Sequence, residues 1–335
     1  MAVDTNVAAA LGRLTVCPRD RSTLAAEGST LTCTSCGTAY EVTPDGIALL
    51  LPPTEGDGQQ ERYRSNYEQI ATDDLTDAIV PQRGELLHSK LVRFIGDVRG
   101  QAVLDIGSAN ALYLSGLPAR ERIAVDIALP YLRNIDGSRV LRVCGDAESL
   151  PVDLSQVDTV VIADVLEHLL HPERLVSRLA TDLRPGARVI VHVPWEETLE
   201  QYLNAPYEFV HLRSFNDVSL RSLFRDFDVV RERSSLPRLD RPLIYAAKGR
   251  VPRGAFNWLA YLYYQTPLKA IDDGLREHWQ RNLPGGEAWL LKLFPATFKM
   301  FELVPARRRK RTDRVAGALT DAARRMAGGL AAPAA

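Results

Sequence analysis

The chain has few cysteines, almost no net charge and no long apolar run, and each of these absences limits its class. Three of its four cysteines lie near the N-terminus, which fits metal binding in a reducing compartment better than a disulfide framework. A formal net charge of −1 gives no global attraction to nucleic acid or anionic membranes. No run approaches the ~20 apolar residues that cross a bilayer, and the N-terminus lacks the basic start and apolar core of a secretion signal. We therefore expect a cytoplasmic protein.

The segment from Gln101 to Asp126 has the order strand, small-residue loop, helix and strand. An apolar run over residues 102–106 reaches Gly107 and the small residues SANA, and a second apolar run ends in Asp126. Small residues after a strand let the backbone approach a ligand, and a carboxylate that ends the next strand can accept hydrogen bonds from two ribose hydroxyls. This pattern predicts a nucleoside pocket.

The loop does not match the dinucleotide fingerprint G-x-G-x-x-G, because its three glycine positions hold Gly107, Ala109 and Leu112. Residues 103–107 instead resemble the first motif, V-L-D-x-G, of the class I S-adenosylmethionine-dependent methyltransferases. That family usually has further glycines where this chain has Ala109 and Ala111. A positive φ at either alanine would therefore cost stability and reshape the loop.

Later motifs extend this resemblance. GDAESLP at 145–151 matches the third motif of the family, VDTVVIADVLEHL at 157–169 matches the fourth, and LRPGARVIVHVP at 183–194 matches the elements that follow. Alternating strand and helix patterns predict a mainly parallel sheet between helices, and the strands expected at 227–233 and 243–248 would pair as an antiparallel finish. The expected fold is α/β and Rossmann-like, a class I methyltransferase with a seven-stranded, mainly parallel sheet flanked by helices, a small N-terminal β ribbon and a C-terminal helical extension.

The resemblance also implies where S-adenosylmethionine binds. Asp105, Asp126 and Asp146 fall at successive strand ends, which meet at one crevice in a parallel sheet. By resemblance, Asp105 lies near the methionine part of the cofactor, Asp126 holds the ribose, and Asp146 meets the adenine. Each acid could instead cap a following helix. The remaining cofactor contacts implied by the family are Gly107, Ala109, Ile127, Ala147 and Asp164.

A second group of candidate residues follows the predicted strand 159–163. Asp164, Glu167 and His168 share one face if the chain turns helically there, and His211 joins them from a distant segment. The pattern resembles the metal site of the plant small-RNA 2′-O-methyltransferases and of the ubiquinone-pathway catechol-type enzymes. In such a site a divalent cation would lower the pKa of an acceptor hydroxyl.

Without a metal, Glu167, His168 and His211 could have other roles. Glu167 could cap a helix, and His168 or His211 could act as a general base or only pack. The catalytic candidates are therefore Glu167, His168 and His211, and the candidate cation ligands are these three with Asp164. The sequence shows no partner for the other histidines, so we expect them at the surface or in packing. They are His88, His171, His192 and His278.

Residues 14–51 resemble the small zinc ribbons that precede some bacterial methyltransferase domains. Cys17, Cys33 and Cys36 match three ligands of the pattern C-P-x-C and C-x-x-C-G, but Asp20 stands where the second cysteine would be. Carboxylate oxygen binds zinc at about 2.0 to 2.2 Å, so a structural zinc held by three cysteines and one aspartate is one interpretation. The other is a ribbon that has lost its metal and persists through strand pairing.

The resemblance to known families and the composition of the linker together divide the chain into four parts. These are a zinc-ribbon-like segment at 1–55, a linker and helices at 56–98, the methyltransferase domain at 99–249, and a helical extension with a disordered end at 250–335. The aromatic segments 256–264 and 289–304 are expected to form a helical cap over the substrate pocket, with residues 290, 294, 298 and 301 on one helical face. With the basic residues 306–311 they could alternatively contact an anionic membrane.

The expected activity is S-adenosylmethionine-dependent methylation of an oxygen atom on a small molecule, a glycan or a lipid-linked intermediate. Two alternatives stay open, namely an RNA methyltransferase that grips its substrate with the ribbon, and a non-catalytic protein that binds S-adenosylmethionine. DNA is not an expected partner, because the motif N-P-P-Y of base methylation is absent. RNA is disfavoured, because no base-stacking aromatic residues are interleaved with the basic cluster.

Overall fold

The computed structural model describes residues 4–52, 58–76, 91–111, 113–197, 199, 207–235 and 298–306. The strand predicted at 243–248 and the aromatic segment at 256–264 lie outside these residues, as does the basic cluster apart from Ala306. Among the described helices, none combines the length and the apolar character needed to span a membrane.

Strands and helices alternate along most of the described chain. The strands are β1 (Leu24–Glu27), β2 (Thr30–Cys33), β3 (Ala39–Glu41), β4 (Ile47–Leu50), β5 (Ala102–Ile106), β6 (Glu121–Asp126), β7 (Leu141–Gly145), β8 (Thr159–Ala163), β9 (Arg188–Pro194), β10 (Phe227–Ser235) and β11 (Phe298–Pro305). The α-helices are α1 (Thr5–Leu14), α2 (Gln59–Thr76), α3 (Leu129–Arg133), α4 (Pro172–Asp182) and α5 (Asp217–Leu223). Residues 91–95 are also helical.

Within the described residues, the central sheet has eight strands in the order β10-β11-β9-β8-β5-β6-β7-β4. From β9 to β4 every neighbouring pair is parallel. All five residues of β5 are buried, as expected for a parallel strand covered on both faces. The predicted Rossmann-like, mainly parallel sheet is therefore confirmed, and it places the carboxyl ends of β5, β6, β7 and β8 along one edge.

Strand β11 occupies residues for which the sequence predicts a helical face. It pairs antiparallel with β9 on one side and with β10 on the other. The helical prediction is wrong for residues 298–305, because Met300 packs in one hydrophobic cluster while Phe301 and Leu303 pack in the other, as alternation in a strand requires. The chain therefore completes its sheet with a segment far from the main run of strands.

The N-terminal segment contributes to two sheets. Strands β1, β2 and β3 form a separate antiparallel sheet, in agreement with the predicted small β ribbon. Strand β4, from the same predicted segment, instead pairs in parallel with β7 at the edge of the large sheet. Its sequence IALL is apolar enough to be covered on both faces. The large sheet thus has one strand more than the seven predicted.

Candidate active site

A cavity of about 470 Å³ opens beside the carboxyl ends of the central parallel strands. Helix α2, in the region where the sequence predicts helices, closes one side through Tyr63, Tyr67 and Ile70. The strand ends and nearby segments supply the rest of the lining: Gly107, Ala109, Val125, Asp126, Ile127, Tyr131, Gly145, Asp146, Ala147, Asp164, Val165, His168, Leu169, Tyr207 and Val210.

The loop after β5 has an unusual backbone. Gly107 has a φ of 66°, and a Cβ atom there would lie 2.4 Å from a methyl carbon of Val165. Ala109 and Ala111 both have a φ of 44°. Both alanines therefore have the positive φ for which the sequence predicts a loss of stability. For an L-residue with a Cβ atom, the left-handed region costs roughly 1 to 2 kcal/mol per residue.

Asp126, at the end of β6, is held by backbone groups of the neighbouring loops. Its Oδ2 accepts a hydrogen bond from the Ala109 amide at 2.8 Å, and its Oδ1 accepts one from the Ala128 amide at 2.8 Å. Burial raises the pKa of this carboxyl to about 6, although those hydrogen bonds favour the charged form. The side chain that the sequence assigns to the ribose therefore lines the cavity in a fixed orientation.

The two other strand-end acids have different surroundings. Asp146 lines the cavity, and its Oδ1 accepts a hydrogen bond from the Glu148 amide at 2.8 Å, so it also acts as the predicted cap. Asp105 is only 2% exposed and is absent from the cavity lining, and its Oδ2 has no hydrogen-bond partner among the described residues. Burial raises the pKa of Asp105 to about 7. The structure therefore places Asp126 and Asp146 in the lining of one cavity and places Asp105 outside that lining.

Comparison with known proteins identifies the domain. A family model described as a methyltransferase domain matches residues 79–230. These residues form a class I S-adenosylmethionine-dependent methyltransferase domain. The biotin biosynthesis bifunctional protein BioHC of Cellvibrio japonicus is 33% identical over 121 residues, and the match covers 34% of this chain and 24% of that protein. The chain thus spans about a quarter of the curated relative it matches.

Solved structures with a similar fold include two at low sequence identity. Phosphoethanolamine N-methyltransferase 2 of Haemonchus contortus is 19% identical with a TM-score of 0.42, over 65% of this chain and 51% of that chain. The YcgJ protein of Bacillus subtilis is 16% identical with a TM-score of 0.41, over 65% of this chain and 97% of that chain.

The cavity of the methyltransferase domain has two walls. The strand-end wall consists of Gly107, Ala109, Asp126, Ile127, Asp146 and Ala147. The histidine wall consists of Asp164, Val165, His168, Leu169, Tyr207 and Val210. The residues of both walls line the same cavity.

Glu167 and His168 lie in a turn after β8, where the His168 amide donates a hydrogen bond to the Val165 carbonyl at 2.9 Å. Glu167 is fully buried, and neither of its carboxylate oxygens has a hydrogen-bond partner among the described residues. The Nδ1 atom of His168 is likewise buried without a partner in the described part of the chain. Burial raises the pKa of Glu167 well above its usual range, and burial with the nearby His211 lowers the pKa of His168 to about 4.

His211 joins this pair, as the sequence predicts. Potential ligand atoms of Glu167, His168 and His211 all lie within 4.8 Å of one another, and the two imidazole rings meet edge to face at 4.7 Å. The Nδ1 atom of His211 lies in hydrogen-bond contact with the Glu197 carboxylate. Neither Glu167 nor His211 lines the cavity, so His168 is the member of the group that faces it.

Asp164, the fourth predicted cation ligand, lies outside the group whose candidate ligand atoms come within 4.8 Å of one another. Its Oδ1 lies 3.0 Å from Nδ1 of His192, the histidine at the end of β9. His192 also stacks on Phe298 of β11, with ring centroids 4.9 Å apart. His192 therefore has a specific partner that the sequence does not reveal, because β9 and the residue after β8 become neighbours only in the folded sheet. Asp164 still lines the cavity, as predicted for a cofactor contact.

Several hydrogen bonds hold the segment 207–213 over the cavity. The Tyr67 hydroxyl donates to the Phe209 carbonyl at 3.0 Å, and the Tyr207 hydroxyl donates to Oδ2 of Asp73 at 2.5 Å. The Arg213 guanidinium donates to the Leu166 carbonyl at 3.0 Å. These bonds tie helix α2 and the histidine wall to one segment.

Sequence reasoning missed Tyr131, Tyr207 and Val210 as lining residues, because no motif marks them.

The four residues of the predicted zinc site also come together, away from the cavity. Candidate ligand atoms of Cys17, Asp20, Cys33 and Cys36 lie within 4.8 Å of one another. None of these residues lines the cavity of the methyltransferase domain. The two candidate metal groups of the described chain are therefore separate.

Proposed function

We propose that this protein transfers the methyl group of S-adenosylmethionine to a hydroxyl oxygen of a small molecule, a glycan or a lipid-linked intermediate. The observation that carries the proposal is the cavity that Asp126, Asp146 and His168 all line. In the reaction a carbon–oxygen bond forms, the bond between that carbon and the sulfonium sulfur breaks, and the hydroxyl proton leaves. S-adenosylhomocysteine and the methyl ether are the products.

The strand-end wall supplies the groups that a nucleoside needs. Asp126 presents a carboxylate whose orientation is fixed by two backbone amides at 2.8 Å, and such a group can accept hydrogen bonds from ribose hydroxyls. Gly107 lets the backbone approach the ligand closely because it has no Cβ atom. Asp146 and Ala147 would contact the adenine. Asp105, behind the wall, would act on the cofactor only by supporting the loop.

His168 is the residue placed to act on the acceptor. Its ring lines the cavity, and its Nδ1 atom has no partner among the described residues. The pKa of about 4 keeps the imidazole neutral at physiological pH, so the ring can accept a proton from a hydroxyl held against the histidine wall. The main-chain carbonyl of His168 accepts a hydrogen bond from the Tyr63 hydroxyl at 3.4 Å, which fixes the turn that carries the ring.

A divalent cation is the second mechanism that a specific observation favours. Two buried Glu167 oxygens and the His168 nitrogen have no partners in the described part of the chain, and His211 lies within reach. Glu167, His168 and His211 would hold the ion, whose chemistry would be to lower the pKa of an acceptor hydroxyl. A set with two imidazoles suits manganese, iron or zinc better than magnesium.

The apolar lining supports a small organic acceptor. Tyr63, Tyr67, Ile70, Leu169 and Val210 contribute aromatic and aliphatic surface, as is common in small-molecule sites. The name of the matched relative places that protein in biotin biosynthesis, which agrees with a small-molecule acceptor here. Membrane contact through the C-terminal residues and a cytoplasmic location stay predictions.

Transfer of a labelled methyl group tests the proposal. S-adenosylmethionine with a labelled methyl group is incubated with the protein and fractionated extract, and the label is located by mass spectrometry. We expect it as an ether in the small-molecule, glycan or lipid fraction. Label in RNA would favour the RNA methyltransferase instead, and binding of cofactor with no label in any fraction would favour the non-catalytic alternative.

The variant His168→Gln separates catalysis from binding. We expect turnover to fall about 100-fold or more while the affinity for S-adenosylhomocysteine stays the same, because general-base catalysis contributes roughly 10² to 10⁴. His171→Gln is the matched control, since that side chain is 50% exposed and does not line the cavity. Equal loss of turnover and affinity in His168→Gln would make the residue structural.

Metal removal decides between the two mechanisms. If a cation is required, dialysis against a chelator abolishes turnover and added manganese restores it in the unmodified protein but not in Glu167→Gln. If His168 acts alone, the chelated protein keeps its full activity.

A further inference from the structure

Two short loops near the N-terminus share one backbone hydrogen-bond pattern. In the first, the Cys17 amide donates to the Ser22 carbonyl at 2.9 Å and the Arg21 amide donates to the Cys17 carbonyl at 2.9 Å. Arg21 has a φ of 64°, a left-handed conformation that normally favours glycine. Asp20 is the residue just before it.

The second loop repeats this pattern. The Cys33 amide donates to the Thr38 carbonyl at 2.9 Å, the Gly37 amide donates to the Cys33 carbonyl at 3.1 Å, and Gly37 has a φ of 70°. Cys33 is therefore equivalent to Cys17. By the same correspondence Asp20 takes the place of Cys36, so the aspartate occupies a ligand position that the sequence spacing alone only suggests.

Both buried sulfurs also receive equivalent hydrogen bonds. The backbone amides of Ser35 and Cys36 donate to Sγ of Cys33 at 3.4 and 3.3 Å. The backbone groups of Arg19 and Asp20 make the same contacts with the Cys17 sulfur. Hydrogen bonds from backbone amides stabilise a sulfur that carries negative charge, which is the form that binds a metal.

The distances match one tetrahedral zinc ion. Two sulfurs bound at about 2.3 Å to such an ion lie about 3.8 Å apart, and a sulfur and a bound carboxylate oxygen lie about 3.5 Å apart. Sγ of Cys17 lies 3.7 Å from Sγ of Cys36, and Sγ of Cys33 lies 3.5 and 3.6 Å from the two Asp20 oxygens. A disulfide would instead require about 2.05 Å between sulfurs.

We propose that Cys17, Asp20, Cys33 and Cys36 bind one structural zinc ion and that this ion stabilises the methyltransferase domain as a whole. The second part follows from the packing. Cys17, Cys33 and Tyr40 lie in the same hydrophobic cluster as Leu104 and Val143 of the central sheet. Fixing the two loops therefore stabilises the central sheet, and the free energy of metal binding becomes folding free energy.

The experiment measures metal content and stability in the full chain. We expect one zinc per chain in the protein purified under reducing conditions, and a chelator should lower the unfolding midpoint by several degrees. Substituting cobalt should produce the absorption of thiolate-to-cobalt charge transfer. Since no proposed ligand lines the cavity, the affinity of the remaining folded protein for S-adenosylhomocysteine should not change.

Variants of Asp20 test the fourth ligand. Asp20→Ala should weaken zinc binding at least tenfold, whereas Asp20→Cys should bind at least as tightly as the unmodified protein and change the cobalt spectrum. Glu27→Ala, an exposed carboxylate on the same small sheet, and Cys144→Ser, a buried cysteine of β7, are the controls and should leave zinc binding unchanged.

Two results would overturn the proposal. The absence of zinc and of cobalt binding in the folded, reduced protein would remove the site. Unchanged zinc affinity in Asp20→Ala would remove Asp20 from it.

Discussion

The two walls of the cavity differ in how their polar groups are satisfied. On the strand-end wall both oxygens of Asp126 accept backbone hydrogen bonds, and Asp146 accepts one from the next turn. Beside the histidine wall, Glu167 and Nδ1 of His168 have no partners among the described residues. An unpaired buried polar group costs about 1 to 3 kcal/mol of stability. We therefore infer that Glu167 and His168 serve the reaction rather than the stability of the fold. The carboxylates of the strand-end wall are satisfied by the protein itself, whereas the polar groups beside the histidine wall would be satisfied by an acceptor, a proton or a cation.

The largest expected effect on stability and ligand binding comes from adding a methyl group at Gly107 in the strand-end wall. In Gly107→Ala, the new Cβ would lie 2.4 Å from Val165 and the backbone would keep a φ of 66°. We expect a loss of about 3 kcal/mol in the free energy of unfolding and no measurable binding of S-adenosylhomocysteine, since overpacking and the left-handed conformation each cost roughly 1 to 3 kcal/mol. Gly116→Ala is the control, because a Cβ there meets nothing within 4 Å. Equal effects in both variants would contradict this view of the wall.

Asp105 predicts a dependence of stability on pH. Its pKa is about 7 in the folded chain against an ordinary value of 3.8, so the folded state binds more protons and its stability falls as the pH rises from about 4 to 7. Asp105→Asn should remove nearly all of that fall between pH 5 and 8, about 3 kcal/mol at about 1.4 kcal/mol per pKa unit. Denaturant unfolding at both pH values measures it, with the exposed Asp228→Asn as control. The same slope in Asp105→Asn and the unmodified protein would refute the account.

Asp126→Ala contrasts the two walls directly. The variant loses the carboxylate and leaves the Ala109 and Ala128 amides without their acceptor. We expect S-adenosylhomocysteine to bind at least tenfold more weakly, or about 1.4 kcal/mol. Calorimetry of His168→Gln, on the histidine wall, should give the affinity of the unmodified protein. If both variants lose affinity equally, the two walls do not have separate roles.

The smallest expected effect concerns the strained loop. Ala109→Gly should raise the free energy of unfolding by up to about 1 kcal/mol, because relief of the left-handed alanine outweighs the added freedom of the unfolded chain. Ala119→Gly, at a neighbouring position without a positive φ, should lower it. Thermal unfolding of the two variants measures the difference, and a loss in Ala109→Gly would contradict the strain.

The sequence predicts what depends on local pattern. Strand β5, the turn at Gly107 and the carboxylate at Asp126 follow from an apolar run, a small residue and a strand end, and the structure places them accordingly. It cannot predict pairings between distant segments. β11 lies next to β9 although about a hundred residues separate them, and His192 reaches Asp164 only through that sheet. The position of Asp105 behind the wall likewise depends on the direction of one side chain in a fully buried strand.

Titration of the unmodified protein with S-adenosylmethionine, followed by calorimetry, tests the central claim most directly. The account predicts one molecule bound per chain and full displacement by S-adenosylhomocysteine, because backbone hydrogen bonds fix the carboxylates of the strand-end wall. A folded protein that releases no heat and does not compete for either ligand would contradict it, and would show that the loop at Ala109 and Ala111 closes the cavity to a nucleoside.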